Sequence, residues 1–528
     1  MTLNFDRFLP RSWGARIPVS FSYSKSEQIP LVRTNSDIVI PPEIRREEIS
    51  TSESRNVRVS ESFRKAGKNP LFTALLNRQH FSVSYSRSNR HTPVNPFSFS
   101  ENYNLRGDYD MGAKSFPRLP LFFWTKPIPL LRRISGTTLG LYPENWRWSG
   151  SFSRSLSITE DTQANRVTSR RRDFDGTMNL TYRLFENLST TVSYRTRRDL
   201  TDPSLVQLNP FHMKLGLETN YSQTFKADYS PALFNFLTHS FSYSANYSDT
   251  YDRTTKTRRS NLSRSWSVNG RFDHIAFLRG KSSGGSSFGR GRSRAGGRRR
   301  TGRRSAAKAT KGKGKPFYDP PLAVLRFLTK WINPLEYRYN QTFSNIVPGM
   351  LQRPSMKYRL GLTRDPNVRL GTDVRRPSST EGQAYDFSSG FSFLGGITTD
   401  VRYRRQVSRD LVRIGGRSER RSTNWPDLTI RITKFKTLPL LKPFVNKFID
   451  VFQPRTAYTR SLREDKNLDL GFLTSKVETI DRNPLLSVNF RMFRGLSLSG
   501  NYAVNKSNNF RFNTTNGSLV SESHNTRS

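Results

Sequence analysis

Apolar and polar residues alternate with period two along most of the chain. Phe81, Val83 and Tyr85 are interleaved with Ser82, Ser84 and Ser86. Trp146, Trp148, Phe152, Leu156 and Ile158 are interleaved with Ser149, Ser151, Ser153, Ser155 and Ser157. Phe174, Met178, Leu180, Tyr182 and Leu184 alternate with Asp175, Thr177, Asn179, Thr181 and Arg183. The pattern recurs over Tyr221–Tyr229, Phe241–Tyr243, Leu262–Phe272, Tyr337–Phe343, Met356–Leu362, Tyr385–Phe393, Ile397–Tyr403, Leu428–Ile432 and Leu486–Val504. Successive strand residues point to opposite faces, so this periodicity predicts β-strands, roughly 16 to 18 of them, many about ten residues long. That length exceeds the ~5–6 residues usual for soluble strands and matches the ~9–11 of a tilted membrane strand.

Two hairpins repeat one another. Thr181–Tyr194 reads TYRLFENLSTTVSY and Asn489–Tyr502 reads NFRMFRGLSLSGNY. Two-residue turns are expected at Glu186–Asn187 and Arg494–Gly495, because Asn and Gly tolerate the positive φ of tight hairpins. Residues 26–58 and 408–424 read as loops. The proline-broken apolar patches at 117–134, 318–334 and 436–452 read as short amphipathic helices or surface loops. Residues 280–316 are Gly, Ser, Arg and Lys with almost nothing apolar, a disordered composition. The chain therefore divides into strands over 1–279, a basic loop over 280–316, and further strands over 317–528.

The chemistry of the two faces separates a soluble sandwich from a membrane barrel. The apolar face mixes Phe, Tyr and Trp with aliphatics, and the polar face is Ser, Thr, Asn and Arg. In a membrane barrel the apolar face meets lipid and small polar residues line a wet interior. On this basis Phe81, Val83, Tyr85, Leu180, Tyr182, Phe241, Tyr243 and Phe490 are expected to face lipid. Ser82, Ser84, Thr181, Arg183, Asn489 and Arg491 are expected to face the lumen. The fold class expected is all-β, a transmembrane antiparallel barrel with short amphipathic helices in its connections.

Composition agrees. Hydrophobic residues are only 34% of the 528, yet 12% are aromatic, and mean hydropathy is −0.68. Disordered chains are poor in aromatics, so this one folds. No stretch approaches the ~20 consecutive apolar residues of a membrane helix. The N-terminal sequence MTLNFDRFLP has no basic segment leading into an apolar one, so no signal peptide is expected there. No cysteine is present, which removes disulfides and thiol chemistry.

The formal charge is +46. Thirteen Lys and Arg and no acid lie between Lys281 and Lys315. This Arg/Gly tract is the sharpest candidate for nucleic-acid binding, since such tracts follow phosphate backbones. It has a single aromatic, Phe288, so stacking platforms are lacking, and a solvated loop inserted between strands is the favoured reading. No specific nucleic-acid partner is expected. Catalytic motifs are missing: there is no HExxH, G-x-S-x-G or P-loop among these residues. The six histidines are scattered; His80 and His91 could meet only across a hairpin. No enzyme, metal or cofactor is expected.

The segment DRFLPRSWGARIPVSFSYS, Asp6–Ser24, resembles the F-L-P-x-S-W-G-then-strand passage of the SprA (Sov) family, the outer-membrane translocon of the type IX secretion system. Phe8, Leu9, Pro10, Ser12, Trp13 and Gly14 carry most of the likeness. Arg64–Ser86, Tyr103–Asp110, Phe116–Ser155 and Asn424–Phe435 are similar to further family stretches. The resemblance implies part of a very large outer-membrane barrel whose lumen conducts folded cargo. Its implied partners are outer-membrane lipid or lipopolysaccharide, cargo with C-terminal sorting domains, and plug and shuttle proteins; gliding motility depends on the family in some bacteria. Family chains are much longer than this one. The alternatives are another outer-membrane barrel, of the LPS-assembly or TonB-receptor type, or a basic nucleic-acid-binding protein acting through 280–316.

Overall fold

A computed structural model describes the chain except residues 11–13, 31–38, 44, 46–47, 64–77, 94, 113–117, 121–137, 141–142, 210–211, 232–235, 279–328, 372–376, 394–395, 413–415, 434–448, 493–494 and 514–515. The fold is all-β. Its long strands are β1 (Pro18–Gln28), β2 (Ser50–Phe63), β3 (Gln79–His91), β4 (Phe97–Gly112), β5 (Asn145–Glu160), β6 (Arg166–Phe185), β7 (Leu188–Asp199), β8 (Leu217–Tyr229) and β9 (Leu237–Asp252). They continue as β10 (Thr257–Phe272), β11 (Leu335–Met350), β12 (Ser378–Phe393), β13 (Ile397–Val412), β14 (Ser418–Ile432), β15 (Ile449–Asn467), β16 (Leu473–Met492), β17 (Leu496–Phe512) and β18 (Leu519–Arg527).

Every long strand pairs antiparallel with its neighbours in chain order, giving one barrel-like up-and-down sheet. β10 pairs directly with β11, so strands on either side of the basic tract are adjacent in one sheet. Among the described residues no pairing joins β18 to β1, and the sheet is open between them. The short strand Thr2–Asn4 pairs with the start of β1.

The strands outrun the expectation. Many have 16 residues and β6 and β16 have 20, rather than about ten. Residues 26–28 and 50–58 belong to β1 and β2, and 408–412 and 418–424 to β13 and β14, not to loops. The strand ends were missed because both of their faces are polar, and alternation disappears where neither face is apolar. Residues 449–452, placed in an apolar patch, open β15, and Arg118–Pro120 of another patch form a short strand paired with Thr138–Gly140 rather than a helix or loop; the tract 280–316 and most of the remaining patch residues lie outside the described residues. Met356–Leu362 is not a strand. Pro354 and Ser355 precede a short helix, Met356–Arg359, and the Ser355 side chain accepts from the Tyr358 N–H as its N-cap. Gly361 then ends the turn at φ +72°.

The first hairpin closes as expected on Glu186–Asn187, between paired Phe185 and Leu188. The second is described only as far as the Met492–Leu496 pair, because Arg494 of its expected Arg494–Gly495 turn lies outside the described residues.

Cross-strand packing is tight at Gly390 on β12, which lies opposite Asp400. A Cβ placed there would fall 2.1 Å from the Thr399 carbonyl oxygen, a backbone atom. Gly500, also mid-strand, has open space where a Cβ would go. Gly390→Val is expected to lower stability by about 1–3 kcal/mol through overpacking, while Gly500→Val is close to neutral. Urea unfolding of the refolded protein, followed by tryptophan fluorescence, separates the two; equal midpoints would sink the packing assignment.

Candidate functional site: two faces and a strap

Register decides which side chains share a face. Phe81, Val83 and Tyr85 pair with Gly107, Leu105 and Tyr103. Leu180 and Tyr182 pair with Val192 and Thr190. Phe241 and Tyr243 pair with Tyr229 and Ala227 on one side and with Val268 and Trp266 on the other. Phe490 pairs with Phe452 and Leu498. All eight residues expected to face lipid therefore lie on one continuous face of the sheet, here the apolar face. Ser82 and Ser84 pair with Arg106 and Asn104, Thr181 with Asn145, Arg183 with Ser189, Asn489 with Ser499, and Arg491 with Ser497. These six lie on the opposite, polar face. The register places both groups on the faces that alternation assigns; what each face touches is a separate question.

The polar face is knitted by short side chains. Ser24 and Ser54 approach to 2.7 Å, Ser242 and Ser267 to 2.8 Å, and Ser244 and Ser265 to 2.8 Å. Facing hydroxyls hydrogen-bond across the ladder, so serine stabilises the pairing that its weak strand propensity disfavours. Arginines are tied down on the same face: Arg106 to Asp108 at 2.8 Å, Arg147 to Asp110 at 2.5 Å, and Arg402 and Arg404 to Asp386. Asp386, Arg402, Arg338 and Glu336 line a polar depression of about 380 Å³.

The apolar face is largely uncovered. Phe21, Phe81, Val83, Leu105, Trp148, Phe241, Phe387, Phe391, Trp425 and Leu498 are each 40% or more exposed. Burying one such side chain is worth roughly 1.5–3 kcal/mol, and a whole domain is stable by only about 5–15 kcal/mol. An open aqueous face of this kind would forfeit more than it could spare.

The face is also banded. One aromatic row runs Trp266–Tyr339–Tyr385, with ring centroids 4.8 Å apart at each step, and continues through Phe387–Tyr403–Trp425 at 6.2 and 6.0 Å. A second group lies toward the other strand ends, with Phe272 against Phe236 and Phe277, and Phe393 against Trp331. The spacing between them is six residues on β10 and eight on β12, about 20–27 Å along a strand. Beyond the first row the apolar face turns charged. Glu419 is 3% exposed, with Arg409 and Arg421 each 2.5 Å away.

At that charged end the connection Leu351–Gly371 folds back over the apolar face as a strap. It covers the one compact core among the described residues: Tyr247, Leu262, Phe343 and Tyr358, with Tyr221 packed against them. Arg353 lies 4.0 Å from the Tyr221 ring centroid and binds Asp249 at 2.9 Å and Glu218 at 3.1 Å. Asp249 is fully buried and also accepts from Arg258 at 2.6 Å and from the Tyr247 hydroxyl at 3.1 Å. Asn345 donates to the Tyr358 hydroxyl at 3.0 Å, and burial pushes that phenol up to about 12, so it stays neutral. Tyr243 donates to the Leu360 carbonyl and Arg264 to the Gly361 carbonyl, at 2.5 and 2.7 Å. Sequence reasoning missed the strap because its alternating residues imitate a strand. Pro354 and Ser355, a helix-start signal, were the available clue.

Of the family words, Phe8 ends a one-turn helix and is 83% exposed. Leu9 and Pro10 follow it, and Gly14 has φ +59°; Ser12 and Trp13 lie outside the described residues. His80 and His91 stand at opposite ends of the single strand β3 and do not meet across a hairpin. Among the described residues no cluster of three metal-ligating side chains occurs. No protein-family model and no curated protein matches the chain.

Two outcomes follow. Arg353→Ala is expected to leave Asp249 under-neutralised and to loosen the strap by about 1–3 kcal/mol. Limited trypsin digestion should then cut faster at Lys357 and Arg359, with the strand cuts unchanged; an unaltered rate contradicts the anchoring role. Acid acts at the charged end. Burial raises the Glu419 carboxyl, but Arg409 and Arg421 outweigh it and hold the group below its ordinary 4.5. Its stabilisation is therefore complete above about pH 4.5 and fades as pH falls through the lower folded value. Hydrogen-exchange protection factors at 408–412 and 416–420, corrected for the intrinsic rate at each pH, should fall in acid, and Glu419→Gln should remove that pH dependence.

Proposed function

We propose that the chain is a wall of an outer-membrane channel, set into lipid by its apolar face and lining a wet conduit with its polar face. The observation that carries this is the uncovered apolar face bounded by two aromatic groups. Along strands tilted by about 35–45° that spacing spans roughly 14–22 Å of height, within the ~25 Å apolar band that aromatic girdles edge in outer-membrane barrels. Strands suit such a place because each backbone N–H and C=O is satisfied by its neighbour, which lipid cannot do. Among the described residues no helix is long and apolar enough to cross a membrane, so strands would do the crossing. The charged ends of β8–β14 would then project beyond the membrane, where long strands with two polar faces cost nothing.

The finer assignment rests on the sequence words around Phe8–Gly14. In that reading the chain is part of a type IX, SprA-like translocon, exporting cargo proteins with C-terminal sorting domains and serving gliding motility where that occurs. The Ser, Thr, Asn and Arg face suits passage of a folded polypeptide, offering many weak hydrogen bonds and no apolar trap. The work is transport, with no chemical step.

The membrane reading predicts that the protein partitions with the outer-membrane fraction, needs detergent for extraction and migrates differently in gels before and after heating. A fold soluble without detergent would sink it. For the translocon, deletion of the gene in its host should abolish secretion of sorting-domain cargo, whereas normal secretion would leave an unrelated barrel.

A further inference from the structure

The strap does more than close a core, for it leaves a groove of about 740 Å³ between itself and the apolar face. Ala227, Tyr229, Phe241, Tyr243 and Trp266 form its floor, and Leu362 of the strap forms a wall. Two guanidiniums, Arg264 and Arg364, stand at its rim. Both lie over the ring of the buried Phe343, at 5.1 and 5.8 Å from its centroid. Arg364 is paired with Glu381 at 2.8 Å and its side chain is 56% exposed. Arg264 donates only to the Gly361 carbonyl among the described residues, with no carboxylate in ion-pair range. The rim therefore carries one uncompensated positive charge.

Position matters as much as charge. Arg264 is two residues from Trp266 on β10, on the charged side of the first aromatic row. The floor runs from there through Tyr243 and Phe241 toward the other aromatic group. A ligand filling this groove has an anionic end at the row and an apolar length beneath it. The volume lies within the ~300–1,000 Å³ typical of small-ligand sites.

We propose that the groove holds one anionic phospholipid, its phosphate between Arg264 and Arg364 and an acyl chain along Tyr243, Phe241 and Ala227. Guanidinium groups bind phosphate through charge-assisted, often paired hydrogen bonds. Basic pockets beside membrane-spanning elements hold lipid head groups on the same principle. The lipid would extend the strap's cover over an apolar surface that the strap leaves bare. This inference rests on the membrane reading above.

The test uses the full chain, extracted in detergent and first checked for insertion into liposomes by its heat-sensitive gel mobility. Native mass spectrometry then counts lipid retained from dioleoylphosphatidylglycerol and from dioleoylphosphatidylcholine. One phosphatidylglycerol should stay bound, at least tenfold more readily than phosphatidylcholine. Inorganic phosphate at millimolar concentration should not displace it, because the chain supplies much of the hold. The double variant Arg264→Gln/Arg364→Gln should lose the preference about tenfold while keeping its gel mobility. Leu362→Ala should weaken retention of both lipids. Equal retention of the two lipids by the wild-type protein overturns the proposal, as does an unchanged preference in a double variant that inserts normally. Displacement by phosphate overturns the lipid assignment in favour of a simple anion site. Failure of the wild-type protein to insert at all falls on the membrane reading instead.

Discussion

The structure depends on one constraint: an antiparallel ladder satisfies the backbone completely while leaving one side of the sheet apolar. From β1 to β18 each strand meets its chain neighbours, and few polar backbone groups remain to be covered. The side chains are then free to be sorted by face alone. A sheet so large with one greasy face cannot stand open to water. Few side chains among the described residues are buried enough to form a core, and their one compact cluster lies at the strap. The hydrophobic effect acts here between the face and whatever covers it more than within the protein.

The strap shows where that rule is locally suspended. Where the apolar face carries charged and hydroxyl groups, at Asp249, Arg258 and Tyr221, an acyl chain would be a poor neighbour. The chain covers this region itself. Arg353 neutralises the buried Asp249, and the carbonyls of Leu360 and Gly361 take the Tyr243 and Arg264 donors. Tyr358 fills the space over Tyr247. The short helix and the left-handed Gly361 let the segment turn back within a few residues. The same cluster separates the apolar band from the charged strand ends, so packing and polarity change at one place.

Serine is part of the same design. On the polar face it is small enough for adjacent strands to bring hydroxyls together, as at Ser242–Ser267 and Ser244–Ser265. A larger polar residue would add bulk to that face. Some of the arginines on this face sit beside a carboxylate, as at Arg106–Asp108 and Arg402–Asp386, and these pairs keep it polar with less bare charge.

The all-β class and the face of each candidate residue were legible in the sequence, because period two is a geometric property of an extended chain. Phe81, Tyr182 and Phe490 could be sorted from Ser82, Arg183 and Asn489 without coordinates. Strand ends were not legible: at Ser26–Gln28, Ser50–Arg58 and Ser418–Asn424 the faces no longer differ in polarity. The strap was misread because Met356, Tyr358 and Leu360 alternate as a strand would, and alternation says nothing of where a segment lies. That decision is made by distant residues, Asp249 and Glu218 on β9 and β8 and Asn345 on β11, through contacts more than 100 positions away in the first case. Sequence by itself determined which side of the sheet each side chain takes, since local backbone geometry suffices for that. Only the tertiary structure decided how far the strands run and which part of the apolar face the chain covers for itself, since both depend on pairing and burial among residues far apart.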